Sequence, residues 1–231
     1  MQGDNPNPPR ALNWPNRISL ARLLLVGPFA VLLINQQPWP WARHAALGIF
    51  VVMAVSDLVD GMLARRMGAM TRLGAILDPL ADKVLVISSV VLLSMDAVGA
   101  AGYRLPNWVT VAVVGKELWV IAGTLVVYLV TDRLRVRPTM AGKASTLGQL
   151  LLVGYTLAAA DVAEVSPRAA RWGITAGSWA VAALSVIAIM SYTRLGLAFV
   201  LAEGKLLENS SDKPSGQQTR PGKESNRVQH D

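Results

Sequence analysis

Apolar residues along the chain collect into six runs, around 23–35, 45–63, 84–95, 107–131, 147–160 and 173–191, separated by short polar or turn-forming stretches. A helix that crosses a bilayer needs about 20 predominantly apolar residues. Runs of this length, some extended by polar residues at one end, predict six transmembrane helices and an all-α, polytopic membrane protein. The expected helices cover about 23–36, 43–67, 73–96, 106–132, 139–162 and 167–203. Gly68 suits a C-terminal cap of the second. Pro106 suits the start of the fourth, and Pro28 is placed to kink the first.

Before the first run, residues 13–22 (NWPNRISLAR) read as an N-terminal juxtamembrane amphipathic segment. Trp14 suits the interface there, and Arg17 and Arg22 could reach lipid phosphates. Residues 1–12 are dominated by Pro and Asn and residues 204–231 by Ser, Lys, Gln and Gly, so both ends are expected to be disordered, flanking a membrane domain over 13–203. The leading residues lack an apolar core and a small-residue cleavage site, so the first span is expected to direct insertion itself. Trp39, Trp41, Trp108 and Trp172 fall near predicted span ends, as an aromatic belt requires.

Composition adds direction. The chain has 231 residues, is 52% hydrophobic and only 16% charged, and carries no cysteine, which excludes disulfide and thiolate chemistry. Its net charge of +7 sits beside the spans and not along one soluble face, which argues against a nucleic-acid partner. With the N-terminus inside, the inner segments carry Arg10, Arg17, Arg22, Arg65, Arg66, Arg72, Arg133, Arg135, Arg137 and Lys143, and the outer ones only Arg43, Arg104, Arg168 and Arg171. The positive-inside bias therefore predicts a cell (inner) membrane protein whose N-terminus, tail and 2–3 connection are cytoplasmic.

That connection is where the apolar pattern breaks. Residues 57–82 (DLVDGMLARRMGAMTRLGAILDPLAD) hold Asp57, Asp60, Asp78 and Asp82 within predicted helices. A carboxylate at the bilayer centre costs roughly 2.5–3.5 kcal/mol on insertion scales, so four facing lipid would cost on the order of 10 kcal/mol. Asp57 and Asp60 are three apart and Asp78 and Asp82 four apart, so each pair shares a helix face. A short loop makes helices 2 and 3 expected antiparallel neighbours with both pairs near one end. Four close carboxylates need cations, and hard oxygen donors without His or Cys favour Mg²⁺, Mn²⁺ or Ca²⁺ over zinc, with room for two ions. Gly61 and Ala64 leave a stripe without bulk beside Asp60. Arg65, a turn further on, offers a planar fork for an anion. Carboxylates, metal and arginine together suggest a diphosphate substrate.

The spacing Asp57-x2-Asp60-Gly61-x2-Ala64-Arg65-x8-Gly74-x3-Asp78-x3-Asp82 resembles the signature of the CDP-alcohol phosphotransferase family at all eight fixed positions. Pro15-Asn16, the Asn16-x2-Ser19-x2-Arg22 segment and the six-helix layout extend the resemblance, with Ser19 where the family more often has Thr. The resemblance implies transfer of a phosphatidyl or similar group from a CDP-linked donor to an alcohol with release of CMP. It implies that Asp57, Asp60 and Asp78 hold Mg²⁺ or Mn²⁺, and that Asp82 both holds metal and serves as general base. It assigns Asn16, Ser19, Gly61, Ala64, Arg65 and Thr71 to the CDP group, and it suggests a homodimer.

The wording PNRISLARLLLVGPF, LGAILDPLADKVL and RVRPTMAGKASTLGQ looks most like the phosphatidylglycerophosphate synthase branch, whose substrates are CDP-diacylglycerol and glycerol 3-phosphate. A phosphorylated acceptor needs basic residues, for which Lys143, Arg194 and Arg137 are the candidates, with Arg135 beside them. The arginines of 133–137 can equally be topogenic. The cardiolipin synthase branch shares the LDPLADK and Lys-x2-Thr-x2-Gln wording and is the alternative. Lys116-Glu117, inside the fourth run, reads as a local ion pair or as a substrate contact. Of other classes, a cation transporter would not need the Gly61–Ala64–Arg65 stripe. An intramembrane aspartyl protease would need only two aspartates.

Overall fold

The computed structural model describes the backbone of residues 14–36, 38–67, 74–99, 102–131 and 139–211; within these, the side chains of 14–19, 40, 57–67, 74–82, 128, 130, 131, 199, 200 and 202–211 lie outside the description. The described residues form six helices: α1 Trp14–Ile34, α2 Pro40–Met67, α3 Gly74–Ser94, α4 Asn107–Thr131, α5 Met140–Val165 and α6 Pro167–Ser211. Each predicted apolar run thus becomes one helix, and the all-α expectation holds for the described residues.

Two ends differ from the sequence reading. The juxtamembrane segment is not a separate element: the helix begins at Trp14 and continues through Pro28 without a break. Pro28 lacks the N–H that would bond one turn back, yet apolar surroundings leave helix as the only way to satisfy its neighbours' backbone groups. At the other end α6 extends to Ser211, past the expected stop near 203. The added stretch, Glu203–Ser211, includes Lys205, Leu206, Leu207 and Glu208, all strong helix formers that carry the helix on after the apolar run ends.

Local chemistry explains the sharper boundaries. Thr139 caps α5, with its hydroxyl accepting from the backbone N–H of Gly142 at 3.0 Å. Only Ser166 separates α5 from α6. Its N–H donates to the Val162 carbonyl at 2.9 Å, its hydroxyl accepts from Ala169 N–H at 3.3 Å, and Pro167 opens the next helix at the position that needs no donor.

Such a short link forces α5 and α6 into an antiparallel pair, and small residues let them approach. A Cβ on Gly142 would lie 2.5 Å from the Tyr192 hydroxyl, one on Gly173 about 2.2 Å from the Tyr155 ring, and one on Gly177 2.9 Å from Leu152. Glycine is what allows both tyrosines to lie flat against the neighbouring backbone, as membrane helix pairs exploit. Tyr155 then donates to the Ala169 carbonyl at 2.9 Å.

The rest packs around this pair. α6 also packs on α4, and α5 on α2 and α3; α1 packs against both α2 and α3. The expected meeting of α2 and α3 falls on the turns around 57–67 and 74–82, whose side chains lie outside the description; among the described residues both helices pack on α1 and α5. The shared core joins Phe29 and Leu33 of α1, Phe50 and Met53 of α2, Leu85 and Val90 of α3, Val109 and Val113 of α4, and Val153 and Leu157 of α5. The Phe29 and Phe50 rings meet at 6.1 Å between centroids.

Around that core the outer surface stays apolar. On α4, Val111, Leu118, Leu125 and Leu129 are all exposed, as are Leu147 and Leu151 on α5 and Val186, Ile187 and Met190 on α6. Contiguous apolar surface of this extent would drive aggregation in water and is the normal state of a lipid-facing helix. Among the described residues, three stretches are long and apolar enough to cross a membrane: Asn107–Val127, Met140–Val165 and Pro167–Ala198. The apolar stretches Leu20–Ile34, Trp41–Ser56 and Lys83–Ser94 of α1, α2 and α3 are shorter. The chain is a helical membrane protein, with three such stretches among the described residues.

Candidate active site

Interhelical contacts fix the relative heights of the helices. Phe50 of α2 packs on Gly154 of α5, 3.5 Å from where a Cβ would sit, and Arg43 donates to the Leu157 carbonyl at 3.1 Å. Lys116 of α4 donates to Gln149 Oε1 of α5 at 3.3 Å, and Lys83 of α3 pairs with Glu117 of α4. Thr110 donates to the Val90 carbonyl at 3.2 Å, a second rung between α3 and α4. Along these rungs α2 is antiparallel to α5, α5 to α4, and α4 to α3. It follows that α2 and α3 run in opposite directions, and that the last turns of α2 and the first turns of α3 lie at one end of the bundle.

Continued along each helix at about 1.5 Å per residue, these rungs leave the last turns of α2, with Asp57 and Asp60, and the first turns of α3, with Asp78 and Asp82, at the same end of the bundle. α1 enters at the same end. The Gln36 amide, just past the C-terminus of α1, hydrogen-bonds the Val98 carbonyl just past the C-terminus of α3, so the first turns of α1, with Asn16 and Ser19, begin at about the height of Asp78 and Asp82.

The helices therefore bring the backbones of all four aspartates, Gly61, Ala64, Arg65, Asn16 and Ser19 to one end. Thr71 lies outside the described residues, as does Arg137. Lys143 stands in the first turn of α5 and Arg194 on α6; both belong to the same end and both are exposed. Their height fits an acceptor role, but neither is enclosed by the bundle.

Among the residues with described side chains, no group of three or more His, Cys, Asp or Glu gathers that could hold a metal. The four aspartates remain the donor set to consider. A donor set of carboxylates only, carried at one end of two antiparallel helices, suits the oxygen preference of Mg²⁺ or Mn²⁺ and not of a soft metal.

Directly beneath this end the bundle buries a group of charges that the sequence showed only in part. Glu117 binds two lysines, one through each oxygen: Lys83 on Oε2, and Lys116 on Oε1 at 2.5 Å. Lys116 continues to Gln149 of α5. Side chains of Lys116 and Glu117 are only 4% and 6% exposed, so the pair is interior and not a surface contact. Both charges of Lys116-Glu117 were visible in the sequence. Their link to Lys83 and Gln149 was not, although an ionisable residue in an apolar run must find a partner in the bundle.

The opposite end carries different polar chemistry. Arg43 holds Asp161 through two nitrogens, one at 2.7 Å, with His44 at 3.2 Å from the same carboxylate. Asp96 pairs with Arg104 across the α3–α4 connection. Trp39 and Trp41 stack there at 6.0 Å, both exposed, as a belt residue should be. Trp108 instead meets Trp179 of α6 at 4.8 Å, so it also packs between helices.

The chain belongs to the CDP-alcohol phosphatidyltransferase family, whose model matches residues 12–190. Among individual proteins, it is 30% identical over 155 residues to the CDP-diacylglycerol–glycerol-3-phosphate 3-phosphatidyltransferase of Bacillus subtilis (strain 168), covering 63% of this chain and 76% of that one. The Escherichia coli (strain K12) protein of the same name is 36% identical over 148 residues, with the same coverage of both chains. A cardiolipin synthase (CMP-forming) of Oryza sativa subsp. japonica is 35% identical over 117 residues, covering 49% of this chain and 35% of the plant protein.

Proposed function

We propose that this protein transfers the phosphatidyl group of CDP-diacylglycerol to glycerol 3-phosphate, releasing CMP and forming phosphatidylglycerophosphate. The observation that carries the reading is the eight-residue signature from Asp57 to Asp82, borne at one end of two antiparallel helices. Relatives named for this reaction, each covered over three quarters of its length, support the choice of acceptor.

In this reading Asp57, Asp60, Asp78 and Asp82 hold two Mg²⁺ or Mn²⁺ ions, which when bound neutralise charge developing on the CMP leaving group. Asp82 also takes the proton of the acceptor hydroxyl as that oxygen attacks the phosphorus. Arg65 and Thr71 hold the CDP moiety, Gly61 and Ala64 leave room for it, and Asn16 and Ser19 contact it from α1. Lys143, Arg194 and Arg137 attract the acceptor's phosphate. Six membrane-crossing helices, the N-terminus and catalytic end at the cytoplasmic face, a domain over 13–203 with the tail beyond it, and a homodimer complete the proposal. The inner-side excess of Arg and Lys supports the orientation.

The acceptor is tested by giving the purified protein CDP-diacylglycerol with glycerol 3-phosphate, phosphatidylglycerol, inositol phosphate or serine. Phosphatidylglycerophosphate as the main product is expected; cardiolipin from phosphatidylglycerol would move the protein to the other branch.

A further inference from the structure

We infer that Lys83, Glu117, Lys116 and Gln149 form a clamp that sets the rotation and height of α3, and through it the position of the Asp78–Asp82 turn. The inference rests on the transferase reading above and adds positioning residues to it.

Two ammoniums and a carboxylate inside an apolar bundle lose more on leaving water than a well-packed apolar cluster would, so the group is a poor source of stability. What it supplies is geometry. Glu117 has both oxygens engaged, one on Lys83 from α3 and one on Lys116 from its own helix. Lys116 is tied in turn to Gln149, which is wholly buried on α5. Three helices are thereby locked at one height.

Lys83 is the residue directly after Asp82. A change of register of α3 by one residue would turn it by roughly 100° as well as shift it by about 1.5 Å, carrying Lys83 away from Glu117. The closed clamp thus selects the register in which Asp82, and Asp78 one turn earlier, keep their place on the bundle. Charge agrees with place: two cations against one anion leave a single positive charge directly after the turn of α3 that carries Asp78 and Asp82.

Lys83→Met is the informative variant, because it removes one cation and leaves Lys116 and Glu117 as a neutral pair. For this variant kcat is expected to fall about 10–100-fold, as loss of an outer-shell partner does, with the KM for CDP-diacylglycerol changed less than about threefold. Without substrates, Mn²⁺ binding followed by electron paramagnetic resonance is expected to weaken about tenfold or more. Lys83→Arg, which keeps a cation within reach of Glu117, should recover most of both. Gln149→Leu, at the far end of the clamp, should give a smaller loss of the same kind.

Unchanged kcat and Mn²⁺ affinity in Lys83→Met would overturn the clamp. So would a lowered unfolding temperature in Gln149→Leu with kcat and Mn²⁺ affinity of the folded fraction unchanged, since the group would then be purely structural. Absence of metal-dependent CMP release by the unsubstituted protein would instead sink the transferase reading, while Mn²⁺ binding would still judge the clamp.

Discussion

The two ends of the bundle spend their charged residues differently. At one, Arg43 grips Asp161 and the Leu157 carbonyl, and Asp96 meets Arg104; these pairs are partly or largely exposed and join helix ends to each other. At the other, Glu117 and Lys116 are buried, and the charges lie beside a turn that carries two of four aspartates. Exposed pairs contribute little and tolerate loss, whereas buried charges are costly and persist where geometry matters more than stability. The difference teaches that one end of this fold is built to hold, and it fits the proposed reading that the other is built to react.

Four substitutions press on that contrast. Asp82→Asn should lower turnover by about 10²–10⁴-fold, the usual worth of a positioned base, while donor binding largely survives and the unfolding temperature does not fall. Turnover assays beside CDP-diacylglycerol binding check it, and near-normal turnover would remove Asp82 from the base role.

Gly173→Ala presses from the opposite side. The new methyl would meet the Tyr155 ring at about 2.2 Å, so the ring must leave its place and its bond to Ala169. A loss of about 1–3 kcal/mol is expected, as for other overpacked sites, with kcat of the folded fraction unchanged. Thermal unfolding in detergent reads the first and active-fraction kinetics the second.

Arg43→Ala should cost about 1 kcal/mol, through loss of its bonds to Asp161 and of its added bond to the Leu157 carbonyl, and no more because Asp161 is 39% exposed and water replaces much of the ion pair. A kinetic defect as large as that of Lys83→Met would erase the distinction between the ends. Smallest of all, Arg104→Ala should stay within about 0.5 kcal/mol, since Asp96 is 87% exposed. Denaturation midpoints compared with Arg43→Ala give the ranking.

Much of this was legible in the chain. Six apolar runs became six helices because a helix satisfies its own backbone groups where water is excluded, and the expected starts at 139 and 167 coincide with Thr139 and Pro167, whose chemistry acts within one turn. The end of α6 was not legible, because Glu203–Ser211 is polar and yet strongly helix-forming, and polarity was read as disorder. Nor was the placing of α1 beside both α2 and α3. A short loop between two helices fixes only their ends, while shape, here Phe29 and Leu33 against Phe50, chooses the neighbour.

The same division holds at the candidate site. The four aspartates stand out as candidates because carboxylates at fixed spacing inside an apolar run are what metal-holding chemistry would need. The acceptor candidates stand out less, because Arg137 sits where topology alone already calls for basic residues, and Lys143 and Arg194 carry no spacing of their own. Lys83 and Glu117 could each be seen as charges out of place, but 34 residues separate them and only the fold pairs them.

The central claim is that the aspartate end performs metal-dependent phosphatidyl transfer, and CMP release tests it most directly. Purified protein with CDP-diacylglycerol, glycerol 3-phosphate and Mg²⁺ or Mn²⁺ should release one CMP for each phosphatidylglycerophosphate formed, with release stopped by EDTA and restored by added metal. CMP release that persists unchanged in EDTA, or no release with any acceptor alcohol, would contradict it.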